Sequence, residues 1–185
     1  LQSIFKTHNI QKFRAKQLID YIYHRYIFDF EEMAQFPKEL RQWLSDNCVI
    51  SLPTLIAESI SPDGKTRKIL VEMTDQSRVE AVLMEQHYGY SVCVSSQVGC
   101  AMGCVFCAST QGGLYRDLTV SEIIGQVVIL GALTKEQIHS VVVMGAGEPL
   151  QNYDNILQSL QLLHDPMICN ISYRKMTIST CGWVP

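Results

Sequence analysis

The sequence predicts an α/β protein in which a small helical domain and a set of β-hairpins lead into a parallel sheet, and three changes of rhythm along its 185 residues carry that prediction. From about Asn9 to Asn47 apolar residues recur at helical spacing. Between Thr54 and Met84 the period falls to two. From Ser91 onward short apolar strands alternate with amphipathic helices, the order that makes βαβ units.

In the helical stretch Phe13, Leu18, Ile19, Ile22, Tyr23 and Tyr26 fall mostly three and four residues apart, and the aromatic residues among them are expected in a core. "FEEMAQFPKELRQWLSDN" gives a second amphipathic stretch, interrupted at Pro37. "LIAESI", "RKILVEM" and "SRVEAVLM" alternate as strands, with Pro62-Asp63-Gly64 as a hairpin turn and Asp75-Gln76-Ser77 as a weaker second one. "SVCVSS" is a further strand. Beyond it Thr119 and Glu122 have the S/T-x-x-E form, in which a hydroxyl and a carboxylate satisfy orphan amides at a helix start; that helix is expected to run to about Leu133. "IHSVVVMGAG", "DNILQSLQLLHD" and "RKMTIST" then read as strand, helix and strand. The resulting parallel sheet, with right-handed crossovers, shows three strands. Such sheets gather their chemistry at the carboxyl ends of the strands. The loop after "SVCVSS", the "GAGEP" turn and the corner from Ser179 to Gly182 should therefore converge. The expected units are residues 1–53 (helical), 54–90 (β-hairpin) and 91–185 (parallel α/β).

Composition excludes several classes. A hydrophobic content of 47% with 18% charged residues describes an ordinary globular chain. No apolar run approaches the ~20 residues of a membrane helix, and a net charge of -3 offers nothing in favour of a nucleic-acid partner. Seven cysteines, an odd number unevenly clustered, argue against a secreted disulfide framework and for a reducing compartment, with the cytoplasm as default. The chain opens at Leu1 without a methionine and stops at "TISTCGWVP", where a β-branched run has just closed on a turn; this reads as part of a longer protein, cut slightly at the front and heavily at the back.

The strongest chemical signal is "GCAMGCVFCAS", where Cys100, Cys104 and Cys107 follow C-x3-C-x2-C and glycines leave the backbone free to wrap something compact. Structural zinc needs a fourth ligand, and no second CxxC or HxxxH offers one. An iron-sulfur cube usually takes four cysteines, and three would leave one iron open to substrate. Buried thiols without metal are the third reading.

With Phe106 before its last cysteine, this motif resembles the cluster motif of the radical S-adenosylmethionine (SAM) enzymes. More narrowly, "CVSSQVGCAMGCVFCASTQGGLYRDLTVSEIIGQVV", "VVVMGAGEPLQNYDN" and "RKMTISTCGWVP" resemble the adenine C2 methyltransferases of 23S ribosomal RNA and transfer RNA. "KFRAKQLIDYIYHRY", "DFEEMAQFPKELRQWL" and the hairpin segments are similar to that family's N-terminal domain. The resemblance implies a partial radical SAM (βα)6 barrel with about three βα units present, a [4Fe-4S] cluster and SAM as cofactors, rRNA and tRNA as substrates, an electron-donor protein, no membrane, and a monomer.

Carbon 2 of adenine is an electron-poor amidine carbon that cannot attack the methyl of SAM by displacement. The family's route, as the resemblance implies it, uses a 5'-deoxyadenosyl radical to take hydrogen from a methyl group already placed on a cysteine; the carbon radical adds to the base, and a second cysteine helps to resolve the protein-RNA adduct. By position, Cys100, Cys104 and Cys107 match the cluster ligands, Gly147, Glu148 and Ser179 the cofactor contacts, Cys93 the resolving cysteine and Glu80 a proton acceptor. The methyl-carrying cysteine is expected beyond Pro185; Cys181, Cys48 and Cys169 are read as incidental. Asp75-Gln76 replaces the family's Asp-Gly, and Asp117 stands where Asn is frequent. Lys65, Arg67, Lys68 and Arg78, with Lys12, Arg14 and Lys16, are candidate phosphate contacts. The alternatives are the related adenine C8 rRNA methyltransferase and a non-catalytic zinc-binding RNA module.

Overall fold

The computed structural model describes residues 2–8 and 10–183; Asn9, where the helical pattern begins, lies outside the described residues. Helices α1 (Gln2–Thr7), α2 (Phe13–Tyr23) and α3 (Lys38–Asn47), with a 3-10 turn at Phe30–Glu32, pack around Phe5, Leu18, Tyr21, Phe30, Met33, Phe36 and Leu44. The second stretch is interrupted at Pro37 as expected: the 3-10 turn lies before it, and its φ of -56° leads the chain into the first turn of α3, where the proline's missing N–H is not needed. Phe13 departs from the expected core. It is half-exposed, with the Arg14 guanidinium 4.8 Å from its ring centroid. Tyr23 and Tyr26 pack against the second, larger core.

That core is built on a sheet of six strands in the order β1 (Thr54–Ile60), β2 (Thr66–Glu72), β3 (Arg78–Gln86), β4 (Gly89–Val94), β7 (Ile138–Val143) and β8 (Met176–Ile178). The first four form an antiparallel meander, while β4, β7 and β8 are parallel. Helix α4 (Val120–Thr134) connects β4 to β7, and α5 (Tyr153–His164) connects β7 to β8. The expected three parallel strands are thus present. The sheet also runs unbroken through residue 90, which lies inside β4.

Alternation divides each strand between two faces. Ile69, Val71, Val79, Ala81, Leu83, Val92, Val94, Val141 and Val143 face the helices and are buried against residues such as Ile123, Val127 and Leu130 of α4 and Ile156 and Leu163 of α5. Residues 123 to 131 of α4 are all buried, as expected of a helix that is apolar on every side. Its start carries the expected capping box, with Thr119 and Glu122 exchanging side-chain and backbone hydrogen bonds. Lys68, Glu80, Val82, Cys93 and Val142 lie on the other face and are only partly covered.

Candidate radical SAM site

Between β4 and α4 the chain makes a second, two-stranded ribbon from β5 (Gln97–Gly99) and β6 (Leu114–Asp117), with all three cysteines of the motif on the loop between them. The base of the loop is closed by Cys100 N–H donating to the Gly113 carbonyl at 3.0 Å. Gly99 has φ +74°, and a Cβ there would strike that same carbonyl, so only glycine allows the closure. Inside the loop, Thr110 Oγ1 accepts from Gly103 N–H at 2.9 Å and donates to the Cys100 carbonyl at 3.2 Å, while Cys107 N–H donates to the Cys104 carbonyl at 3.0 Å. Cys100 is buried, and Cys104 and Cys107 are partly exposed.

The loop faces the tips of β7 and β8 across a cavity of about 260 Å³ whose walls include Cys100, Cys104, Cys107, Gly147, Glu148 and Ser179. Thr180 and Cys181 line it too. Six of the eight candidate site residues therefore meet in one place.

What holds the tips in register is a set of buried polar side chains. Gln97, fully buried, accepts from Glu148 N–H at 2.8 Å and donates to Asp117 at 2.8 Å, so it ties the ribbon to the "GEP" turn. Gln126 of α4 accepts from Ser95 N–H at 2.8 Å and donates to the Ser95 carbonyl at 3.1 Å. Asn152 donates to the carbonyls of Ser96 and Leu118. Gly147 has φ +106°, and a Cβ on it would run into Ser96 Oγ and Gln97, so the turn lies flush on the end of β4.

The Glu148 carboxylate is engaged within the protein. It accepts from Leu150 N–H (2.9 Å), Thr180 Oγ1 (2.6 Å) and Cys181 N–H (2.8 Å). Burial pushes this carboxyl up, but the bonds from Thr180, Cys181 and Leu150 outweigh it and hold the group below the usual carboxylate range. It works as a clasp between the β7 and β8 tips. The Cys181 thiol, hydrogen-bonded to the same carboxylate and near Cys104, is pushed up in turn.

Beneath the ribbon, Arg116 of β6 holds Asp75 (2.7 and 3.0 Å) and Glu122 (2.9 and 2.8 Å), each through two nitrogens, and so fixes the β2–β3 turn and the start of α4 to the cysteine loop. Hydrogen bonds from Arg116 and Ser77 hold the Asp75 carboxyl well below its usual range.

Cys93 and Glu80 stand apart from the cavity, on the sheet face away from the helices. Val82 pairs with Cys93, and Glu80 lies two residues before Val82 on the same face. Such diagonal neighbours stand about 7–8 Å apart. Glu80 pairs with Lys68 at 2.8 Å. Burial pushes the Cys93 thiol up, partly countered by a hydrogen bond from the Met144 backbone. Three of the candidate phosphate contacts are paired with acids: Lys68 with Glu80, Arg67 with Glu58 and Arg78 with Glu72.

Comparison with known proteins agrees with this geometry. Residues 1–50 match the family model described as the ribosomal RNA large subunit methyltransferase N-terminal domain, and residues 94–185 match that of the radical SAM superfamily. The chain is 45% identical over 185 residues to a probable dual-specificity RNA methyltransferase RlmN of Clostridium perfringens, covering 100% of this chain and 53% of that protein. A protein of the same description from Symbiobacterium thermophilum is 48% identical over 176 residues, 94% of this chain and 47% of its own length. The crystal structure of a radical SAM methyltransferase from Sphaerobacter thermophilus superposes with a TM-score of 0.92 at 35% identity, over 100% of this chain and 55% of that one. In sequence and in fold the chain is similar to radical SAM dual-specificity RNA methyltransferases. It spans about half the length of the curated relatives it matches.

Members of the radical SAM superfamily carry a [4Fe-4S] cluster and SAM, and the residues present here fit both. Cysteine thiolates are the donors that hold iron-sulfur clusters, and Cys100, Cys104 and Cys107 line one cavity. Gly147 and Ser179 line the same cavity. Among the described residues no helix is long and apolar enough to cross a membrane.

Reading the sequence missed Gln97, Gln126, Asn152 and Arg116, because each resembles an ordinary surface polar residue until its partners are known. Cys181 was visible as a cysteine near a strand end, but nothing local to it pointed at the other three.

Proposed function

We propose that this chain forms the N-terminal and cluster-binding portion of an enzyme that methylates C2 of an adenine in 23S rRNA and in tRNA. The observation that carries the reading is the meeting of Cys100, Cys104 and Cys107 with the tips of β7 and β8 in one cavity, in a chain 45% identical to a probable dual-specificity RNA methyltransferase. When bound, the cluster and SAM supply the one-electron chemistry that the electron-poor C2 carbon requires.

The chain's own residues divide the remaining work. Cys100, Cys104 and Cys107 ligate the cluster. Gly147 and Ser179 line the cofactor's seat, and Glu148 holds the two strand tips that form it. Cys93 and Glu80 act from the sheet face away from the helices, Glu80 as proton acceptor and Cys93 as the thiol that releases the RNA adduct. Reaching C2 also requires the target base to leave its stack.

Residues 1–53, 54–90 and 91–185 serve as the helical, hairpin and barrel units of this enzyme. It works as a monomer with an electron-donor protein in the reducing cytoplasm, in keeping with seven free cysteines. The test is anaerobic turnover of the complete protein on both RNAs, with the new methyl located by mass fragmentation of the nucleosides. Methyl on C2 supports the proposal; methyl on C8, or none, contradicts it. RNA binding that does not weaken as salt is raised removes the phosphate-contact part of the reading.

A further inference from the structure

Four cysteines, not three, line the cavity at the strand tips: Cys100, Cys104 and Cys107 from the loop, and Cys181 from the turn after β8. The other cysteines are elsewhere. Cys93 lies on β4 with its sulfur hydrogen-bonded by the Met144 backbone, and Cys169 sits beside Tyr23 and Tyr26 in a separate pocket. Cys181 is held where it is by its neighbours. Its N–H donates to Glu148 at 2.8 Å, Thr180 Oγ1 donates to the same carboxylate at 2.6 Å, and Gly182, at φ +86°, donates its N–H to Thr180 Oγ1 at 3.0 Å. The thiol is exposed and lies within electrostatic reach of Cys104.

We propose that Cys181 is the fourth thiolate of this site, ligating the cluster's open iron in the absence of SAM and leaving it when SAM binds. The inference rests on the cluster reading above. Four cysteines are the common ligation of a [4Fe-4S] cube, and among the described residues Cys181 is the one cysteine lining this cavity besides the three of the motif. On ligation the thiol proton passes to water and a sulfur lone pair fills the iron's vacant position; no electron is transferred. When SAM arrives, the Cys181 sulfur leaves the iron and takes up a proton from water. The Glu148 clasp then serves a second purpose: it keeps the returned thiol beside the iron, ready to protect it once the cofactor has gone.

The test uses the complete holoprotein, reconstituted anaerobically, as wild type, Cys181→Ala and Cys181→Ser, with Cys104→Ala as control. Reduced samples are compared by electron paramagnetic resonance with and without SAM. Air-pulsed samples are compared for the signal of the three-iron cluster that forms when the open iron is lost. The expected result is that wild type and Cys181→Ala differ without SAM and coincide once SAM is saturating, and that Cys181→Ala yields severalfold more three-iron signal after the same pulse. Superimposable spectra without SAM, together with equal iron loss, overturn the proposal while leaving the cluster reading intact. Wild-type protein that takes up no iron, or a Cys104→Ala variant with a wild-type cluster, overturns the cluster reading and this inference with it.

Discussion

Replacing Gln97 with Leu is the sharpest structural test of how this site is held. Gln97 is fully buried, and its amide bridges Glu148 N–H on one side and the Asp117 carboxylate on the other, each at 2.8 Å. Leucine nearly fills the volume but satisfies neither group. Stranding a buried N–H costs about 1–3 kcal/mol, and the lost bond to a solvent-reachable carboxylate adds about 1 kcal/mol. The expected destabilisation is therefore about 2–4 kcal/mol. At about 2–4 °C per kcal/mol for a chain of this size, the midpoint of thermal unfolding falls by about 4–16 °C. The assay is thermal unfolding of the cluster-free protein followed by circular dichroism, so that bound cofactor does not add to apparent stability. The reconstituted variant should also hold less iron, because the "GEP" turn is no longer registered against the cysteine loop. A midpoint within a degree of wild type and unchanged iron content would refute the bridging role.

Three further outcomes follow from the same geometry. Arg116 bonds hold the Asp75 carboxyl low, so their stabilisation is complete above the unfolded carboxylate pKa of about 3.9 and is lost as pH falls towards the depressed folded value. Arg116→Met should flatten that acid limb in urea titrations at stepped pH, and an unchanged limb would show that Asp75 is held by something else. Gly147→Ala forces a side chain into φ +106° and against Ser96 and Gln97, which should cost at least about 1 kcal/mol in urea unfolding and weaken SAM binding measured by calorimetry. Glu80→Gln should lower kcat by about 10²–10⁴ with little change in KM, the range for a lost proton acceptor; a variant with wild-type kcat would remove Glu80 from the chemistry.

The parts of the fold legible in the sequence are those whose signal is local. β7 lies between two parallel strands, with Val141 and Val143 buried and Val142 partly covered on the other face, so it reads as an apolar run, and the capping box at Thr119 and Glu122 announces α4 within four residues. The ribbon β5–β6 escaped notice because its strands have 3 and 4 residues and pair across the whole cysteine loop. The site divides in the same way. Cys100, Cys104 and Cys107 carry their own spacing, whereas Cys181 joins them only through the β7–β8 pairing that brings two distant strand tips together. Glu148 shows the limit most clearly: the motif places it among the cofactor contacts, and only the fold shows that its carboxylate takes bonds from Leu150, Thr180 and Cys181. Phe13 fits the helical period and yet faces solvent, because a period fixes a face and not what covers it.

The most direct check of the central claim is the iron and acid-labile sulfide content of anaerobically reconstituted wild-type protein beside Cys100→Ala, Cys104→Ala and Cys107→Ala. The account predicts iron and sulfide in equal amounts with a brown charge-transfer absorption in the wild type, all of it depleted in each single variant. A colourless wild type containing zinc, or variants that keep a full complement of iron and sulfide, would contradict it.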